Sequence, residues 1–175
     1  MDALTGISKT DALQQLSVNA ATLSRPGMLQ TIALGLRAGA AGTTVLSLVT
    51  YADMAARGRP SSSAPEQLAA RMAGTIGIPL RKGEQQAEAR AQGWGALLGI
   101  GSGLVAGVTC SFLVRRCRPR DVVLATVLSA GVMLASDVPL VAAGLTDPRT
   151  WGMSGWLSDI VPHAAYGMTT ALALR

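Results

Sequence analysis

Long uncharged runs alternate along this chain with short connections that carry most of the arginines. The clearest run extends from Gly93 to Val114 without a single charge, close to the roughly 20 residues a helix needs to cross a bilayer. Three further runs read the same way. The first lies within Pro26 to Ala52, broken only by Arg37; another goes from Val122 to about Leu145 and contains Asp137; the last goes from about Gly155 to Leu174 and contains Asp159. If Arg37 marks a polar edge instead, the first run slides to about Ala38 to Ala56 and takes in Asp53. The pattern predicts an all-α fold: an integral membrane bundle of four transmembrane helices at about 30–54, 93–114, 122–145 and 155–174, with one soluble connection at 55–92.

Segment 1–27 is polar, and Thr10 to Leu23 within it reads as a short surface helix. A cleaved signal peptide is not expected, because the first apolar run starts late and is interrupted by Arg37. In the soluble connection, Ser61-Ser62-Ser63-Ala64-Pro65-Glu66 marks a helix start. Ser63 or Ala64 stands at the cap, proline in the first turn and an acid near the positive end of the dipole. A helix over about Pro65 to Ala73 follows. Leu68, Met72 and Ile76 recur every four residues, so it should lie against the bundle or in the interface. Arg81 to Arg90 carries alternating charges and reads as a solvated stretch.

Composition agrees with a membrane chain: 49% of residues are apolar and only 14% charged, against about 25% charged in soluble domains. Glycine is abundant, at 20 of 175 residues, and four of them, Gly95, Gly99, Gly103 and Gly107, recur at four-residue spacing. Such a face lets a neighbouring backbone approach closely, the GxxxG mode of helix packing. The net charge of +5 does not indicate nucleic acid, since the arginines sit between apolar runs and stacking aromatics are scarce. Cys110 and Cys117 are two helical turns apart, about 10 Å, too far for a disulfide.

Arg115, Arg116, Arg118 and Arg120 crowd the connection between the second and third spans. Short arginine-rich loops stay cytoplasmic, which places both termini there and sets these arginines against anionic lipid headgroups. The opposite end collects acids. Asp53 ends the first span, Asp137 lies sixteen residues beyond Asp121, roughly 24 Å along its helix, and Asp159 opens the fourth span. With Trp94, Trp151 and Trp156 at the same level as an interfacial belt, Asp53, Asp137, Asp159 and His163 should meet at one pole. His163 follows Asp159 by four residues, so the two share a helix face. Pro139 and Pro162 each free a backbone carbonyl near an acid. Ionisable residues inside spans often mark ion or proton paths, but Asp159 and Pro162 also suit a first helical turn, and Asp137 has Arg37 or a loop arginine as a candidate structural partner.

Other chemistry finds little support. Gly152-Met153-Ser154-Gly155 has the GxSG form of intramembrane serine proteases, but Ser154 and His163 are about 13.5 Å apart along one helix, far beyond a working hydrogen bond; Ser154 reads as a helix cap. No close spacing fixes a metal site, and the glycine-rich run lacks the ending and preceding strand of a phosphate loop. No cofactor is expected.

Arg37-Ala38-Gly39-Ala40-Ala41-Gly42, Tyr51-Ala52-Asp53-Met54, Thr146-Asp147-Pro148-Arg149-Thr150-Trp151 and the closing Asp159, His163, Tyr166-Gly167 resemble a group of small uncharacterised four-helix bacterial inner-membrane proteins, and more distantly the YagU-like family. The likeness covers about Met28 to Leu174, and the long connection after Asp53 departs from it. It implies the fold and a bacterial inner membrane, and no chemistry. Three functions then compete: a structural or accessory subunit packing through its glycine-rich helix, as a homo-oligomer or within a larger membrane complex; a proton- or ion-coupled transport element using Asp137, Asp159 and His163; and a lipid- or quinone-binding protein.

Overall fold

The computed structural model describes residues 27–77, 84–117 and 119–175, together with Ser8, Thr10, Leu13 and Gln14. The expected surface helix at Thr10 to Leu23 falls mostly outside them, as does Arg118. Among the described residues the chain is all-helical, with five α-helices: α1 (Met28–Arg57), α2 (Ala64–Thr75), α3 (Glu84–Cys117), α4 (Asp121–Ala142) and α5 (Gly152–Ala173). A single 3-10 turn, Pro148–Thr150, leads into α5.

Local chemistry sets the helix ends. Gly27 donates its N–H to the Gln30 side chain at 3.0 Å, and α1 stops at Gly58, whose φ of 62° is the left-handed conformation that glycine reaches without strain. Ser63 caps α2 with Pro65 in its first turn; the Ser62 hydroxyl, not that of Ser63, accepts the Ala64 N–H, at 3.3 Å. Three helices, α1, α3 from Gln86 onward, and α4, are long and apolar enough to cross a membrane. Helix α5 equals α4 in length at 22 residues, but Asp159, Pro162 and His163 dilute its apolar character.

Two boundaries differ from the sequence reading. Helix α3 begins at Glu84, so part of the expected soluble connection is helical. Its first turns, Glu84-Gln85-Gln86-Ala87-Glu88-Ala89-Arg90, are all good helix formers, yet they carry no apolar period to signal the helix. Helix α5 begins at Gly152 with Trp151 at its cap, so Ser154 lies inside the first turn and does not cap it.

Helix α1 is the hub, flanked by α3 and α5; α4 packs on the other side of α5 and scarcely meets α3. Glycines make these contacts. A Cβ on Gly35 would lie 2.5 Å from the Cα of Val108, and one on Gly39 would lie 2.7 Å from the carbonyl of Gly103. On the facing helix, a Cβ on Gly107 would lie 2.7 Å from the Cα of Gly39. Gly42 turns towards α5, where its Cβ would meet the Tyr166 ring at 2.8 Å, and Gly167 of α5 sits against Ala125 and Ser129 of α4. The α3 glycine face is thus used inside the bundle at Gly103 and Gly107, while Gly95 receives the backbone of Pro65 and Glu66 and Gly99 opens on to free space.

Polar bonds cross the same seams. Tyr166, fully buried, donates its hydroxyl to the Gly103 carbonyl at 2.6 Å. Thr170 reaches the Ala38 carbonyl at 3.4 Å, and Ser111 reaches that of Thr31 at 3.0 Å. Small residues therefore line the α1 seams, α4 buries Leu124, Leu128 and Val132, and many large apolar side chains such as Leu29, Leu48, Leu97, Val105, Val122 and Met168 lie outside. A soluble domain inverts that arrangement; helices solvated by lipid adopt it.

Helix α2 lies across the bundle end, held by Gly95 of α3 and by Arg71, which donates to the Ala143 carbonyl at the end of α4. Its packed face is Ala64, Ala69 and Ala73. Of the two places expected for the Leu68, Met72 and Ile76 face, it is not against the bundle, since Met72 and Ile76 are exposed; the interface remains.

Candidate functional site

Helix α4 contributes Ser136 and Asp137, two turns before its end, and α5 contributes Asp159 and His163 from one face of successive turns. His163 Nδ1 lies 2.8 Å from the Asp159 carbonyl and 3.2 Å from its Oδ1. Both partners are acceptors, so Nδ1 carries a proton. Nε2 lies 3.4 Å from the Ser136 hydroxyl, which in turn is 3.3 Å from Asp137 Oδ1 and 2.8 Å from the Met133 carbonyl. A serine has one proton to donate, so the imidazole's protonation state decides where it points: a neutral ring draws it to Nε2, and a charged ring releases it to Met133 or Asp137.

The Asp137 carboxyl lies alongside that of Asp159. The Asp159 and His163 side chains are only 19% and 12% exposed, and Asp159 Oδ2 is buried without a hydrogen-bond partner among the described residues.

A second polar group stands nearer the surface. Asp53 accepts from Arg57 at 2.5 Å and from Arg59 at 2.6 Å. Arg57 also donates to Ser154 at 2.6 Å and to Ser158, fastening the end of α1 to the first turns of α5. Ser158 comes within 3.4 Å of Asp53 and directly precedes Asp159, so the two groups abut. Trp151 and Trp156 stack in a tilted pair with ring centres 5.1 Å apart, and the Trp151 indole donates to Thr146 at 2.8 Å.

Asp53, Asp137, Asp159 and His163 all lie at the bundle end formed by the close of α1, the close of α4 and the start of α5. Asp137, Asp159 and His163 form one network; Asp53 belongs to the adjoining arginine group. Asp137 pairs with Ser136 and not with Arg37, which is exposed on α1. Sequence reasoning missed Ser136, Arg57, Arg59 and Ser158 as site residues, and read Ser154 as a helix cap when it is a partner of Arg57. Arg57 was readable, four residues after Asp53 on one helix; the serines depend on how the helices register and left no signal.

Ser154 is occupied by Arg57 and makes no bond to His163. At the opposite end, Arg115 donates to the Thr31 hydroxyl at 2.5 Å, and Arg116 and Arg120 are exposed. Cys110 is buried, Cys117 exposed, and both are free. Among the described residues no group of three or more histidine, cysteine or acidic side chains is placed to hold a metal ion.

No protein-family model, curated protein or solved structure matches the chain.

Proposed function

We propose that this is a structural or accessory subunit of a bacterial inner membrane, crossing it four times, with α5 as the fourth span. The observation that carries the reading is how the intramembrane polar groups spend their hydrogen bonds. Ser136, Asp137, Asp159 and His163 bond chiefly to one another and to their own helices, and Arg57 ties α1 to α5. Buried polar side chains used this way join helices. As a span, α5 turns Ile160, Val161, Met168 and Leu172 outward to lipid and its acid and imidazole inward to α4. The likeness to small four-helix inner-membrane proteins supports the location, and the arginines at the α3–α4 turn support cytoplasmic termini. The partner is a second copy or another membrane protein.

One feature favours a second reading, a proton-carrying element. Asp159, His163, Ser136 and Asp137 form a continuous chain of exchangeable protons across the α4–α5 seam, with a buried carboxylate oxygen left over. Reconstitution separates the two. Liposomes containing the purified protein, loaded with a pH-sensitive dye and given a proton gradient, should leak no faster than empty ones, and a stoichiometric partner should co-purify with wild type and with the Asp137→Asn, Asp159→Asn variant alike. A flux that the double substitution abolishes would overturn the structural reading in favour of the second.

A further inference from the structure

From the bundle end opposite the acids, we infer a binding surface for phospholipids with anionic headgroups. Four exposed arginines gather there from three helix ends: Arg115 and Arg116 close α3, Arg120 caps α4, and Arg175 follows α5. Two are held in place from within, Arg115 by the Thr31 hydroxyl at 2.5 Å and Arg175 against Asp121. Arg116 and Arg120 have no hydrogen-bond or ion-pair partner among the described residues and are exposed. Asp121 is the one acid beside them among the described residues, and it is engaged by Arg175, so the surface is strongly positive.

What selects a lipid rather than a soluble anion is the layer beneath. Met28 and Leu29 of α1, Leu113 of α3, Val122 and Val123 of α4 and Leu172 of α5 are all exposed within about one turn of the arginines. A ligand that satisfies both layers has a negative head and acyl chains. Arg37 reaches the surface from below: it is exposed on α1 six residues past Thr31, about 9 Å deeper, a depth at which a long stem carries its guanidinium up to the phosphates. A guanidinium fork suits a phosphate diester, which offers it two oxygens.

The inference rests on the membrane reading, and the test keeps the two apart. Wild-type protein in neutral detergent should gain apparent thermal stability on adding phosphatidylglycerol, in a concentration-dependent way, and gain little from phosphatidylcholine. Arg116→Gln with Arg120→Gln should raise the half-saturating phosphatidylglycerol concentration about 25-fold, from about fivefold per arginine, with Lys at both positions restoring most of it. Arg149→Gln, at the acidic end, should change nothing. Both arginines are solvent-facing, so the double variant's stability in phosphatidylcholine reports that it is folded. Equal stabilisation by phosphatidylcholine or by soluble glycerol phosphate, or an unchanged response in the double variant, would overturn the inference. Protein that stays in the aqueous phase without detergent would instead overturn the membrane reading itself.

Discussion

Gly107 and Gly99 occupy the same face of α3, eight residues apart, and meet opposite surroundings: the backbone of Gly35 and Gly39 in one case, free space in the other. Gly107→Leu should therefore force α1 and α3 apart, at a cost of about 1–3 kcal/mol or more, whereas Gly99→Leu should be neutral or slightly stabilising, since leucine is a better helix former by up to about 1 kcal/mol. Thermal unfolding in one detergent checks both, and equal effects would show that the glycine face is not used as described. Tyr166→Phe keeps the ring against Gly42 and Gly103 but loses the hydroxyl on the Gly103 carbonyl, so it should cost about 0.5–1.5 kcal/mol. The glycine spacing of α3 was legible in the sequence. Its partners were equally present, Gly35 and Gly39 on α1, and a search for a second four-residue spacing finds them. Tyr166 gave no such sign, because its burial depends on three helices meeting.

At the scale of elements, the α4–α5 seam is joined by Ser136 and His163 near one end and by Gly167 against Ser129 further along. A double-mutant cycle between Ser136→Ala and His163→Gln should give a coupling of about 0.6–1.7 kcal/mol, the range of interhelical hydrogen bonds in membranes; a coupling near zero would mean the two side chains do not meet. Helix α2 makes its own claim. Gly95→Val would collide with the turn at Pro65 and Glu66, 3.3 Å away, and should release α2, seen as faster trypsin cleavage after Arg71 with the spans intact. Long apolar runs made α1, α3 and α4 readable, since the absence of charge over some 20 residues has few other meanings. The start of α3 was not readable, because charge hides a helix from a search for apolar residues. For α2 the sequence left two places open, against the bundle or in the interface, and could not decide between them because the packed face, Ala64, Ala69 and Ala73, is less apolar than the Leu68, Met72 and Ile76 stripe.

The whole molecule has two unlike ends, one holding the buried acids, their arginine partners and the indoles, the other an exposed arginine group. Cys117, exposed at the close of α3, is a reporter of the basic end, and a membrane-impermeant maleimide should label it from the cytoplasmic side alone. Labelling from the outer side would invert the orientation. Cys110, buried seven residues earlier, should react only after unfolding. The convergence of Asp53, Asp137, Asp159 and His163 was legible because alternating helix directions carry those positions to one end whatever the packing; their division into two networks was not.

The order of packing also has a consequence for how the chain is made. Helix α4 follows α3 in sequence yet scarcely touches it, and its partner is α5, the next helix out of the ribosome. On the proposed four-span reading, Asp137 keeps its neighbour Ser136 but lacks the Asp159 and His163 side of the seam until α5 arrives, while α1 and α3 can already be joined glycine to glycine. That reading gives assembly two stages, an early pair and a late one. A chain halted after Leu145 would lack the His163 partner of Ser136 and should be degraded faster than the 175-residue chain, which pulse-chase labelling measures.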